Sequence, residues 1–249
     1  MNKKLFSLTT TLLLALLFAS CGKASGNNAA QQTDSYAEKI SFDAEEICET
    51  ATLDEGVVIG GVRWATRNVD RPGTFAETPE SLGMLFQWNR PYGWRSAPHY
   101  TDESFWWGYS PTQRWSPAIR GWENASWDNS MPTGTKWYAE NDPCPEGWRV
   151  PTKEELIYLR DIENEWTTQN GVNGRLFGVA PNQIFLPTAG GRCNVGVHSR
   201  IGFGFYHSST PTQRWEVDLV LQSLSFNNRN AWWFYSSIKD GHSVRCVSK

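Results

Sequence analysis

The sequence is poor in the groups that carry most protein chemistry. Four histidines occur in 249 residues. His99, His198, His207 and His242 each stand alone, with no H-E-x-x-H, G-x-S-x-G or comparable device around them. Ser208 and Ser209 follow His207, but neighbours on an extended chain point to opposite faces, so this triplet reads as structural. No two cysteines have the spacing of a C-x₂₋₄-C knuckle, and neither His198 nor His242 has ligand spacing, which removes the common zinc patterns. The expectation is a protein that is not an enzyme and uses no metal or cofactor. A basic stripe is also missing: 23 Lys and Arg stand against 26 Asp and Glu, so nothing offsets phosphate repulsion and nucleic acid is not an expected partner. Beyond the first twenty residues no apolar stretch approaches the about 20 residues needed to span a bilayer.

Those first twenty residues are the exception. Lys3 and Lys4 precede an apolar run over Leu5–Phe18 that is too short to span, the layout of a secretory signal. Phe18-Ala19-Ser20-Cys21 ends the run and resembles the bacterial lipobox, whose cysteine takes a diacylglyceryl group (palmitate-type chains) before cleavage. Each buried CH₂ contributes ~0.8 kcal/mol, and two acyl chains anchor stably where one does not. Residues 1–20 are therefore read as a leader and 21–36 as a lipidated cysteine with a flexible tether, reaching about 20 Å root-mean-square. Gly22 in place of Asp carries no inner-membrane retention signal, so an outer-membrane location in the cell envelope is expected, with a surface-exposed and a periplasm-facing domain both left open. Losing Lys3 and Lys4 shifts the formal charge from −3 to −5.

What is abundant is tryptophan, 14 against three methionines. Indole has a large apolar face and one N–H donor, and it serves either core packing or recognition. Four cysteines follow Cys21, namely Cys48, Cys144, Cys193 and Cys246. An even number in an exported chain reads as two disulfides, with three pairings open.

Residues 37–55 are acidic and weakly helical, an N-terminal arm or short helix. Val57–Ile59 and 62–66 read as two strands about Gly60-Gly61. Residues 70–140 are loop-rich. Thr152 and Glu155 form a capping box that opens the one strong helix, with Leu156, Leu159, Ile162 and Trp166 near one face and Asn170-Gly171 at its end. Short strands are expected over 183–186, 202–207, 215–221, 223–226, 232–235 and 242–247. Pro-Thr-Gln-Arg-Trp occurs at 111–115 and 211–215, but nothing flanking it repeats. One helix among many short strands and long loops is an α+β layout, taken as a single domain over 56–249.

Six blocks occur in order: Gly61-Val-Arg-Trp-Ala-Thr-Arg-Asn68, Gly83-Met-Leu-Phe-Gln-Trp88, Cys144-Pro-Glu-Gly-Trp-Arg-Val-Pro-Thr152, Ile184-Phe-Leu-Pro-Thr-Ala-Gly190, Gly204-Phe-Tyr-His-Ser-Ser-Thr210 and Ser243-Val-Arg-Cys-Val247. The series resembles the Fibrobacter succinogenes major paralogous domain of bacterial surface and secreted proteins. It departs from that pattern at His207, where the family usually has Trp, and at Gly191-Arg192-Cys193. The resemblance implies a fold similar to C-type lectins and formylglycine-generating enzymes. It also implies that Cys144, before the helix, pairs with Cys246 in the last strand, which leaves Cys48 with Cys193. The calcium-binding triplets of C-type lectins are absent; Trp127-Asp128-Asn129 is the nearest. The expected function is a lectin-like domain that binds glycan or a surface protein. The alternative is a structural or assembly component of a surface appendage, without its own ligand site. Trp94, Trp106, Trp107, Trp232 and Trp233 are the candidate binding residues, at least two of them expected to be accessible and close together. The competing role for all five is to fill the loops, and in each Trp-Trp pair extended geometry puts one ring in and one out.

Cys21→Ala is expected to move the protein from the detergent phase to the aqueous phase in Triton X-114 partitioning. A parent protein that already partitions to water contradicts the lipid anchor.

Overall fold

The computed structural model describes residues 53–95, 127–132, 134–193, 196–198, 202–214 and 218–249, with backbone only at 95, 193, 196–198, 212–214, 218 and 219. Cys21, Cys48, Trp106 and Trp107 lie outside these residues, as do the leader, the tether and most of the arm. Asp54–Lys249 forms one compact unit. Among the described residues no helix is long and apolar enough to cross a membrane.

The unit begins with a carboxylate. Asp54 accepts hydrogen bonds from the Gly56 and Thr66 amides and the Thr66 hydroxyl, and Arg67 Nε lies 3.3 Å from it. These bonds fasten the start of the domain to the far side of its first hairpin. Strands β1 (Val57–Ile59) and β2 (Val62–Trp64) turn through Gly60 and Gly61, both with positive φ that side-chain-bearing residues seldom adopt. A side chain at Gly60 would also run into the Tyr158 ring. Next come β3 (Met84–Gln87), β4 (Gly93–Arg95) and β5 (Trp148–Arg149), then helix α1 (Lys153–Asp161). The helix carries the expected box: Thr152 Oγ1 accepts from the Glu155 amide, and Glu155 accepts from the Thr152 amide at 2.7 Å.

The helix is shorter than its sequence suggests. It stops at Asp161, and Trp166 lies instead in β6 (Asn164–Gln169), which pairs with β7 (Val172–Val179) and, through it, β8 (Asn182–Pro187). Asn170-Gly171 does not cap the helix. Both residues have positive φ and form the two-residue turn of the β6–β7 hairpin. Thr167 and Thr168 favour the strand because their branched β-carbons are stiff in a helix.

Eight strands follow: β9 (Gly191–Cys193), β10 (Gly196–His198), β11 (Gly204–Tyr206), β12 (Pro211–Arg214), β13 (Asp218–Phe226), β14 (Ala231–Ser237), β15 (Gly241–His242) and β16 (Val247–Ser248). They complete four small sheets. The first runs β1-β2-β16-β5, the second β10-β9-β15-β3-β4, and the third is β6-β7-β8; in the fourth, β13 pairs with β11, β12 and β14. The described part is thus mostly β with one helix. Two strands expected over 215–221 and 223–226 are one, β13, across the described residues. β3 and β4 lie inside the stretch that reads as loop.

Two apolar clusters fill the interior. One gathers Phe75, Phe86, Trp88, Trp137, Trp148 and Val244; the other gathers Trp64, Leu156, Leu159, Phe177, Tyr206 and Phe226. Cys144 and Cys246 are joined, with Cα atoms 6.0 Å apart and 102 positions of chain between them. The pairing Cys48–Cys193 lies outside the described side chains. Closing so long a loop removes about 4–5 kcal/mol of unfolded-state entropy in the simple treatment, often less in practice. Cys246→Ser is accordingly expected to lower unfolding free energy by about 2–5 kcal/mol in urea melts. An unchanged midpoint contradicts that role.

Candidate binding site

The β13–β14 hairpin organises the strongest candidate surface. Its pleat sends Leu224 and Phe226, with Ala231 and Trp233 across from them, toward the cluster under the helix. The other face takes Ser223 and Ser225, opposite Phe234 and Trp232, with Phe205 of β11 also paired to Ser225. On this face Phe203 stacks on Phe205 at 6.1 Å and meets Trp232 edge-on at 6.0 Å, while Phe205 contacts Phe234 at 5.3 Å. Phe205 is buried, whereas Phe203, Trp232 and Phe234 are half-buried. The hydroxyls of Ser225 and Ser236 are buried without a hydrogen-bond partner among the described residues.

The hairpin end is held from below. Asn227 Oδ1 accepts the amides of Arg229 and Asn230, at 2.9 and 3.2 Å. Arg175, buried in β7, donates to the Asn227 carbonyl at 3.0 Å and to Asn164 Oδ1. Among the described residues no carboxylate pairs with that guanidinium, and burial lowers its pKa.

Beneath the aromatic face lie two imidazoles. His207 and His242 pack with ring centres 4.7 Å apart, and His242 stacks on Phe205. His207 Nε2 lies 2.7 Å from the Phe86 carbonyl, and His242 Nδ1 lies 2.9 Å from Ser223 Oγ. Ser208 turns elsewhere, donating to the Thr210 and Gln222 carbonyls. Burial pushes His207 down to about 4 and His242 well below its ordinary value, with the neighbouring imidazole adding to the latter. Both rings are therefore neutral near pH 7. Each is at most 3% accessible, so the Ser223–His242 contact is sealed from a substrate in solvent. Nearby Asp240 is pushed up to about 6, again by burial.

The candidate tryptophans part company here. Trp94 is 1% accessible and is no platform residue. Arg192 lies between its ring and that of Trp127, 4.5 and 4.1 Å from the two centres. That cation, nearly a hundred positions away in sequence, is why the loop-like context of Trp94 misleads. Trp232 and Trp233 are both half-buried and point to opposite faces of β14, Trp233 lying under Arg160 at 5.1 Å. Of the nine described tryptophans five are buried and four half-buried, so they do not form one exposed cluster. Sequence reasoning missed Phe203 and the Asn227–Asn230 turn; the polar run between two strand-forming runs was the available signal. Among the described residues no three His, Cys, Asp or Glu side chains converge as metal ligands. No family model, curated protein or solved structure matches the chain.

The two imidazoles predict a pH dependence. Their folded pKa values lie below the unfolded value near 6.5, so the unfolded state binds more protons as pH falls and stability is lost between about 6.5 and 4. Asp240 opposes this, because its raised pKa makes the folded state bind a proton first between about 6 and 3.8. His207→Gln removes one imidazole and leaves His242 and Asp240 acting in opposite directions. Across that window, denaturant melts should show the parent losing up to about 3 kcal/mol more than the variant. Equal losses contradict the assignment.

Proposed function

We propose that this chain is a cell-envelope lipoprotein whose single domain, C-type-lectin-like and related to the Fibrobacter succinogenes major paralogous domain, binds glycan or a protein partner. The observation that carries the reading is Trp232, a half-buried indole near the tip of a hairpin that a buried arginine holds in place. An indole in that position offers apolar area to a sugar ring or a partner while its backbone is already ordered. Further support comes from the blocks themselves. The first contributes β2, the last contributes β16, and the two strands pair, Val247 opposite Trp64. The third block adds β5 beside β16 and supplies the cysteine that Cys246 meets. The leader and Cys21 give the anchor, and the tether gives the reach.

A glycan array and a surface-protein binding assay on the full chain, with and without calcium, test this reading. Trp232→Ala is expected to weaken whatever ligand is found about fivefold, the ~1 kcal/mol of one aromatic contact. Trp233→Ala is expected to act mainly on stability, since that ring packs on the cluster beneath the helix. A ligand bound equally by parent and Trp232→Ala contradicts the placement.

A further inference from the structure

Resting on the glycan-binding reading and narrowing it, we propose that the tip of the β13–β14 hairpin is a subsite for a carboxylate-bearing pyranose. Trp232 would stack on the sugar ring, Arg229 would clasp the carboxylate, and the Asn228 and Asn230 amides would meet its hydroxyls.

The tip combines a fixed backbone with uncommitted side chains. Asn227 spends its amide oxygen on the backbone of Arg229 and Asn230, its own N–H donates to the Asn230 carbonyl at 3.0 Å, and Arg175 holds its carbonyl. The next three residues, Asn228, Arg229 and Asn230, are exposed, and among the described residues their side chains form no hydrogen bond or ion pair. Arg67, Arg90, Arg149 and Arg160, by contrast, each pair with a carboxylate. Loop asparagines more often bond to their own turn, as Asn227 does here. Three free polar side chains in a row on an ordered turn leave donors and acceptors for something else.

The chemistry of the set selects the ligand class. A guanidinium presents a planar fork of N–H donors that matches the two oxygens of a carboxylate. A primary amide both donates and accepts, as a pair of neighbouring ring hydroxyls requires. One residue separates Asn230 from Trp232, and the Asn230 carbonyl accepts the Asn227 N–H just before β14 begins, so both stand at the same end of the hairpin. The indole supplies the apolar surface that a pyranose C–H face needs. Neutral sugars would use the indole and amides but leave the guanidinium unmatched. An isolated small anion would use the guanidinium alone.

The test uses the full chain in detergent, titrated with uronate-bearing oligosaccharides, the same oligosaccharides methyl-esterified at the carboxylate, and acetate. The expected result is binding of the acid at least tenfold tighter than the ester, with acetate negligible. Arg229→Gln should erase that preference without moving the melting temperature, and Trp232→Ala should weaken acid and ester alike. Ester bound as tightly as acid, or a preference unchanged in Arg229→Gln, overturns the subsite while leaving glycan binding intact. Loss of acid binding in Arg229→Gln but not in Trp232→Ala overturns it too, as a bare anion contact. No oligosaccharide bound by the parent overturns the glycan reading as well.

Discussion

The described domain is arranged around one buried cation. Arg245 has no accessible surface, and burial draws its pKa down to about 10, which still leaves it charged at neutral pH. Burying an unpaired charge costs many kcal/mol unless dipoles replace the lost water. Among the described residues no carboxylate touches it; an amide, two carbonyls and the Tyr206 hydroxyl do the solvating. Nε and Nη2 donate to Asn68 Oδ1 at 3.1 and 2.8 Å, Nη1 donates to the Ala65 carbonyl at 3.1 Å, and Nη2 also donates to the Phe185 carbonyl at 3.0 Å. Asn68 is in turn held by its own donations to the Leu82 carbonyl and the Tyr206 hydroxyl, and that hydroxyl donates to the Pro187 carbonyl. The first, fourth, fifth and last sequence blocks thus meet at one polar centre.

The candidate surface depends on this centre through a short chain of constraints. Tyr206 points inward to the network, so its neighbour Phe205 faces the other way, onto the aromatic face of the hairpin. His207 continues past the strand end, and its amide donates to the Ser243 carbonyl, two residues before Arg245. Both Phe205, which packs on Phe203 and Phe234, and the imidazole pair behind it are placed by residues bonded into the same centre. The disulfide fastens the residue after Arg245 to the segment before the helix.

How much of this was legible in the sequence follows from how local each signal is. The β1–β2 hairpin declares itself through Gly60-Gly61 and the helix start through Thr152 and Glu155, because turns and caps are decided within a few residues. The helix end was misread for a related reason: Asn-Gly closes a helix or a hairpin equally well, and the choice is made by β7 pairing back onto β6. β3 gave no alternation because all four of its residues are buried, and period-two patterning needs one solvated face. Trp94 looked like a loop aromatic until Arg192 filled the space beside it. The unpaired tip side chains were invisible for the opposite reason, since lacking a partner is a property of the fold alone.

In the proposed binding mode one preformed indole, that of Trp232, meets the ligand, while the buried tryptophans among the described residues hold the structure. The indole N–H signals of the full chain, followed by NMR during ligand titration and assigned with Trp232→Phe, test it most directly. The account predicts a concentration-dependent shift of the Trp232 signal, with the Trp64, Trp88 and Trp94 signals unmoved. A titration that moves the buried indoles and leaves Trp232 in place would contradict it.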